Sequence, residues 1–188
     1  MKKQLKESPL LFPIPAVLVS CQRPGEKPNL ITLAWTGVVC SEPPLVSISI
    51  RGSRYSHDVI LETGEFVINV PAADILKEVD YCGLVSGRDY DKFARTLLTP
   101  EPATQVACPM VGEAIVNLEC KVDRSLELGS HRMFIARVVA VHADEEFLDE
   151  KDRVKVGDAK PFVYCPADHQ YWTLGFAAGY HGFSQGSF

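Results

Sequence analysis

The chain has 188 residues, 46% of them hydrophobic and 23% charged, which is enough apolar content to bury a full core as one domain. A formal net charge of -5, with no basic run and no basic strip interleaved with aromatics, excludes a general nucleic-acid binder. Pro9, Pro13 and Pro15 break the apolar stretch that follows the lysine-containing start, so a secretory leader is not expected. No segment is long and apolar enough to cross a bilayer, and the expectation is a cytoplasmic chain without a membrane partner. The six cysteines, at 21, 40, 82, 108, 120 and 165, never form a Cys-x-x-Cys pair, and the five histidines lack ligand spacing. Reduced thiols and no metal site are expected.

Residues 16–22 are an apolar, β-branched run, expected as a first strand and closed by the turn residues Arg23-Pro24-Gly25. Across 29–36, alternation puts Thr32, Ala34 and Thr36 on one side and Ile31, Leu33 and Trp35 on the other. Residues 45–51 repeat this, with Val46, Ile48 and Ile50 against Ser47, Ser49 and Arg51. Small side chains on a sheet surface let a planar ligand come close to the backbone. The run from Arg51 to Asp58 then leads into Val59-Ile60-Leu61 and a stop at Gly64, which predicts a helix over 55–63. Free amides at its start, the positive end of its dipole, two guanidiniums and serine hydroxyls form surroundings suited to a phosphomonoester. The alternative is that Ser53 or Ser56 caps the helix and both arginines are solvated.

Residues 65–70 are expected as a central strand stopped by Pro71, and 72–85 as an amphipathic helix followed by a short helical piece at 90–93. Prolines at 100, 102 and 109 make 99–112 an irregular crossing segment. Residues 115–122 read as a half-exposed strand. The strand at 133–141 is apolar on both faces apart from Arg137, as expected if the core covers one side and a helix or another subunit the other. A charged turn or short helix at 145–152 and a last strand at 162–164 precede a tail, 171–188, without clear periodicity. Short strands, tight turns and inserted helices read as a mainly β, antiparallel barrel rather than a doubly wound sheet. Neither Gly-x-Gly-x-x-Gly nor a phosphate loop ending in Gly-Lys-Ser or Gly-Lys-Thr is present.

Seven motifs in order carry a family resemblance: residues 29–37, the strand 43–51, Ser53-Arg54-Tyr55-Ser56, residues 64–70, Cys82-Gly83 with Ser86-Gly87-Arg88, Asp91-Lys92-Phe93, and Leu128-Gly129-Ser130-His131. This order resembles the flavin reductase-like family, and within it the flavoredoxin branch. The resemblance implies an antiparallel FMN-binding split barrel of Greek-key type, a homodimer with the flavin near the subunit interface. It places Asn29, Thr32, Ala34 and Trp35 along the ring and ribityl chain, and has Ser47, Ile48 and Ser49 offering backbone groups to the ring's polar edge. Arg51, Ser53, Arg54 and Ser56 would hold the phosphate. Cys82, Ser86 and Lys92 lie where a loop would close over the cofactor, Lys92 adding a cation. His57, Arg132 and residues 185–188 depart from the family pattern.

Individual residues admit plainer readings. Trp35 and Cys82 suit simple packing, and Arg88 with Asp91 a surface pair of little energetic weight. His131 is a contact for a nicotinamide or substrate, or a loop histidine bonded to backbone. The functional expectation is an FMN oxidoreductase reduced by NADH or NADPH that passes electrons to free flavin or a redox partner protein. Two alternatives stand beside it: a flavoredoxin-like electron carrier, and a non-redox flavin or haem module with His131 or His57 as axial ligand. Because a flavin carries its own chemistry, no catalytic acid, base or nucleophile is named.

Overall fold

A bend at Ala34 and Trp35 interrupts what the alternation alone reads as one strand, and it positions everything that follows. The structure, a computed structural model, describes residues 1–185. The expectations for residues 186–188 therefore lie outside the described residues.

The strands in chain order are β1 (Ile14–Pro15), β2 (Val17–Cys21), β3 (Asn29–Leu33), β4 (Thr36–Cys40) and β5 (Leu45–Arg51). Helix α1 (Tyr55–Thr63), β6 (Glu65–Pro71), α2 (Leu76–Leu84) and α3 (Lys92–Thr96) come next, with a 3-10 turn before α2. Two short strands, β7 (Pro100–Glu101) and β8 (Met110–Val111), lie in the crossing segment, ahead of the long hairpin of β9 (Ala114–Leu128) and β10 (His131–Ala143). Helix α4 (Val156–Ala159) and the hairpin of β11 (Phe162–Cys165) and β12 (Gln170–Thr173) complete the chain.

Seven strands form one antiparallel sheet in the order β3-β2-β6-β9-β10-β5-β4, so β6 is interior as its apolar content implied. Ile31 and Leu33 of β3 pack in one cluster with Val46, Ile48 and Ile50 of β5 and with Phe66 and Phe134. Residues near opposite ends of the strand order can share a core only if the sheet curls round it, which makes it a barrel. A second cluster lies outside, where α2 and α3 bring Val79, Cys82 and Phe93 onto Leu18 and Leu30. That covering explains why β2 is buried at every position instead of at alternate ones.

Several expectations are corrected. Strand β3 ends at Leu33, and Trp35 turns out of the apolar row to become largely exposed. The face opposite Ile31 and Leu33 is not an open floor: Leu30 is buried under the helices, and the Thr32 hydroxyl donates to the Val79 carbonyl of α2. Strand β9 runs well past residue 122, because Arg124 to Leu128 still pair with β10 beyond the core, across a bulge at Asp123. On β10, Phe134 and Ala136 face the core, while the other face is covered in part by Val106 and Cys108 against Val139 and left open at Val141. The tail contains β12, which pairs with β11, and β1 extends that ladder to three strands.

The crossing segment is held by one buried carboxylate. Glu119, on β9, accepts from the amides of Thr104, Gln105 and Val106, from the Thr104 hydroxyl at 2.8 Å, and pairs with His142 Nε2 at 2.7 Å. Burial alone would raise its pKa, but these donors hold it down to about 2. A depressed carboxylate stabilises the fold above its ordinary value of 4.5, and that contribution is lost as pH falls through about 2. Glu119→Gln, which cannot accept all these bonds, is expected to lower stability by about 2–4 kcal/mol in chemical denaturation and to flatten the acid limb between those pH values. An unchanged acid limb would contradict this.

Candidate functional site

Two clefts meet along β3, β5 and the start of α1, and both are lined by Ile31, Arg51 and Arg54. Their shared walls make them one trough, with compartments of ≈ 360 Å³ and ≈ 460 Å³, each within the size of small-molecule sites.

The first compartment is flat and aromatic. Thr32, Ala34, Trp35 and Ser49 line it from the sheet, and Gly83 from the end of α2. The Trp35 indole stacks on the His131 imidazole, centroids 6.1 Å apart and planes 12° from parallel. His131 opens β10 opposite Arg51, and its Nδ1 lies 2.8 Å from the Ser130 hydroxyl. Burial, then the charge of Arg51, lowers its pKa, which favours a neutral ring. The facing wall comes from the last hairpin, where Tyr164 is hydrogen bonded to His169 at 2.9 Å and the Tyr171 hydroxyl donates to Asp80 of α2 at 3.1 Å.

The second compartment is cationic and hydroxylated, lined by Asn29, Ser53, Ser56, Ser86 and Lys92 besides the two arginines. Arg54 occupies the N-cap position of α1, and no side chain caps the helix. Ser56 is buried in the first turn, where its hydroxyl accepts from Asn29 Nδ2 at 2.8 Å. The capping alternative for the serines is thus not realised. Among the described residues neither Arg51 nor Arg54 has an ion-pair partner.

Lys92 is the unusual member. It is 2% exposed, and its ammonium donates to the carbonyls of Leu30 at 2.6 Å and Cys82 at 2.7 Å. An ammonium has three protons to donate, and no carboxylate pairs with this one among the described residues. Burial pushes its pKa down from 10.5 to about 8, the Cys82 thiol opposing and Arg54 adding to the shift.

Three expected residues are not brought to the trough. Ser47 and Ile48 sit mid-strand between β4 and β10, so their backbone is flanked by ladders on both sides, and neither lines a compartment; Ser49 does. Cys82 points its thiol into the outer core, where burial raises its pKa to about 11, and supplies its carbonyl to Lys92. Arg88 pairs with Asp58 rather than Asp91, which instead meets Lys27. His57 bonds Asp58 and packs edge-on against Phe134 outside the trough, which removes it as an axial ligand there. Arg132 donates to Ser125 and Glu127, also away from the trough.

Sequence reasoning missed Asp80, Tyr164, His169 and Tyr171: Asp80 lies in an expected amphipathic helix and Tyr164 in an expected strand with nothing local to mark them as site residues, and the tail that holds Tyr171 lacks periodicity. It named Gly83 and Gly87 within motifs but gave them no role at the site. A Cβ on Gly87 would lie 2.1 Å from Asn29 Oδ1, and one on Gly83 3.2 Å from Thr32 Cβ, so both admit a close approach of the loop to β3.

The depressed Lys92 has a consequence for the ligand-free chain. Above pH 8 the unfolded state binds more protons at this lysine than the folded state, so Lys92 contributes stability that grows with pH, by up to about 1 kcal/mol per pH unit between pH 8 and 9. The buried thiols of Cys21 and Cys82, raised from 9.0 to about 11, act in the opposite sense as the unfolded chain loses their protons, so the stability of Lys92→Met should fall more steeply with pH than that of the wild type over this interval. Identical pH slopes for the two chains would contradict the assignment.

A sequence profile of the flavin reductase like domain matches residues 10–173. Flavoredoxin of Desulfovibrio vulgaris (Miyazaki F) is similar over 99% of this chain and 100% of its own, with a TM-score of 0.92 and 33% identity. An FMN-binding protein from Thermus thermophilus with bound 1-cyclohex-2-enone matches 94% of this chain and 99% of its own, with a TM-score of 0.78 and 25% identity. The reductase component of a 4-nitrophenol 4-monooxygenase/4-nitrocatechol 2-monooxygenase from Rhodococcus opacus is 28% identical over 120 residues, 60% of this chain and 57% of that protein. With a curled antiparallel sheet, inserted helices and a profile match over most of its length, the chain belongs to the flavin reductase like domain family.

Proposed function

We propose that this chain is an FMN-binding oxidoreductase that takes reducing equivalents from NADH or NADPH and passes electrons to free flavin or a partner protein. The observation that carries this reading is the convergence of Arg51, Arg54 and the buried Lys92 at one end of a trough whose other end is flat and aromatic. The residues present fit the group: among the described residues the lysine is a buried cation without a counterion, and both arginines are unpaired. Similarity to an FMN-binding protein and to a monooxygenase reductase component supports flavin and reductase chemistry.

Bound FMN would supply the redox chemistry, accepting hydride at its ring and releasing electrons onward. The chain's part is to bind and orient. Arg51, Arg54 and Lys92 hold the phosphate with the hydroxyls of Ser53, Ser56 and Ser86; Thr32, Ala34 and Trp35 lie along the ring and ribityl side. His131, stacked on Trp35 and kept neutral, offers a ring nitrogen at the mouth where a nicotinamide would lie. The purified protein should be yellow. Arg51→Ala with Arg54→Ala should weaken FMN binding about 100-fold or more, each lost charge-assisted contact being worth roughly 1.5–3 kcal/mol. Full FMN affinity in that double variant would refute the socket.

The extent of similarity to flavoredoxin favours a second reading, an FMN electron carrier that is reduced by another protein. Anaerobic stopped-flow mixing with NADH and with NADPH separates the two. Rapid bleaching of the flavin supports the reductase, and none supports the carrier.

Val38 at 79%, Val39, Leu126, Leu128 and Val141 leave aliphatic side chains exposed on β4, β9 and β10. We assign these strands to a homodimer contact that would cover such side chains. Val38→Glu should convert a dimer to a monomer in light scattering, and a wild-type monomer would contradict the assignment.

A further inference from the structure

Resting on the FMN reading, we propose that Arg88 is a positioning residue that shuts the phosphate end of the trough, so that it accepts a flavin monophosphate and rejects a flavin dinucleotide. Arg88 does not itself line that compartment. It acts through the two segments that do: one carries Arg51, Ser53, Arg54 and Ser56, the other Ser86, Gly87 and Lys92.

A single guanidinium joins these segments. Arg88 Nη1 donates to the Ser53 carbonyl at 3.1 Å, Nη2 donates to Asp58 Oδ2 at 3.0 Å, and its guanidinium carbon lies 5.6 Å from the centroid of the Tyr55 ring. An isolated exposed ion pair would count for little, but here a planar fork reaches a carbonyl and a carboxylate together while lying over a ring. Tyr55 is held independently, with Arg23 at 5.3 Å from its centroid and donating to its hydroxyl at 3.1 Å, and with that hydroxyl donating to Glu26 at 2.9 Å. Arg88 therefore fastens the 86–91 loop to a braced surface.

The seam under this latch is tight. The space a Cβ on Gly87 would need is taken by Asn29 Oδ1 at 2.1 Å and by Tyr55 Cδ1 at 2.8 Å, so the loop backbone rests directly on both. On the far side lies another cleft of ≈ 390 Å³, which shares Asn29, Tyr55 and Gly87 with the phosphate end. Gly87, seated on Asn29 and Tyr55, forms the partition. A dinucleotide would have to cross it with a second phosphate and would then meet three carboxylates, Glu26, Asp89 and Asp91, against two lining cations, Lys27 and Arg88, with Lys27 bonded to Asp91 at 2.9 Å and Arg23 at 3.7 Å from Glu26. A monoester ends before the partition and meets only the cationic side.

The test is fluorescence titration of the full chain with riboflavin, FMN and FAD, alongside thermal melting, for wild type, Arg88→Ala, Arg88→Lys and Asp58→Asn. Wild type should prefer FMN to FAD by about 100-fold, and Arg88→Ala should weaken FMN by about 10- to 100-fold while changing riboflavin by less than about threefold. FAD should lose far less than FMN, so that the ratio between them collapses. Arg88→Lys, a point charge without the fork, should recover only part of the ratio, and Asp58→Asn should shift it in the same direction as Arg88→Ala by a smaller amount. Equal weakening of FMN and riboflavin would reduce Arg88 to a structural role and overturn the proposal. So would an unchanged FMN:FAD ratio in Arg88→Ala and Asp58→Asn, or a wild type that binds FAD as tightly as FMN. A wild type that takes up no flavin would overturn the FMN reading itself and this proposal with it.

Discussion

Burying the Lys92 ammonium removes a strongly hydrated charge from water, at a cost of several kcal/mol that two carbonyl oxygens offset only in part. The carbonyls belong to Leu30 on β3 and Cys82 on α2, while Lys92 begins α3, so three elements are tied through one nitrogen. The arrangement is electrostatically incomplete without an anion, and the side of the lysine that remains lines the same compartment as the unpaired Arg51 and Arg54. A phosphate there would complete the lysine's bonding and raise its proton affinity. The fold thus holds a cationic pocket whose own charges repel one another, Arg54 against Lys92, until a ligand supplies the opposite sign.

The trough exists because regular pairing stops in the right place. If residues 29–36 had continued as one strand, Trp35 would point with Ile31 and Leu33 into the core. The bend at Ala34 and Trp35 instead frees the indole to stack on His131 and leaves small side chains at the ring end. Helix α2 covers the outer face of β3 up to Thr32, and Gly83 then keeps the end of the helix from filling the gap. The last hairpin closes the other side with Tyr164 and Tyr171, whose rings lie 5.4 Å apart. These features shape a cleft that would orient a planar ligand, in keeping with the proposed cofactor that carries its own chemistry.

Much of this was legible in the sequence where a single physical signal dominated. Val46, Ile48 and Ile50 alternate cleanly with Ser47, Ser49 and Arg51, and β5 spans the expected residues. The helix over 55–63 stops at Gly64, which takes the left-handed conformation at φ 69 that favours glycine. The residues grouped for the phosphate, Arg51, Ser53, Arg54 and Ser56, do line one compartment together. What failed depended on partners that lie far away in the chain. Ser47 shares the local pattern of Ser49 while Ile48 turns into the core, and the pairing of β5 with β4 and β10 takes the backbone of both out of reach. Arg88 has an acidic residue three positions later, yet its partner Asp58 is 30 positions earlier. The aromatic wall was only half legible: the strand carrying Tyr164 was expected, but the four residues of β12 that bring Tyr171 against it are too few for a period to show.

The most direct measurement is phosphorus NMR of the flavin-loaded protein as a function of pH. A free phosphate monoester gains its second proton near pH 6. Held by Lys92, Arg51 and Arg54, the bound phosphate should stay dianionic and keep one chemical shift from about pH 8 down to about pH 5. A bound resonance that titrates like the free monoester would show a phosphate in solvent, and the central claim would fail.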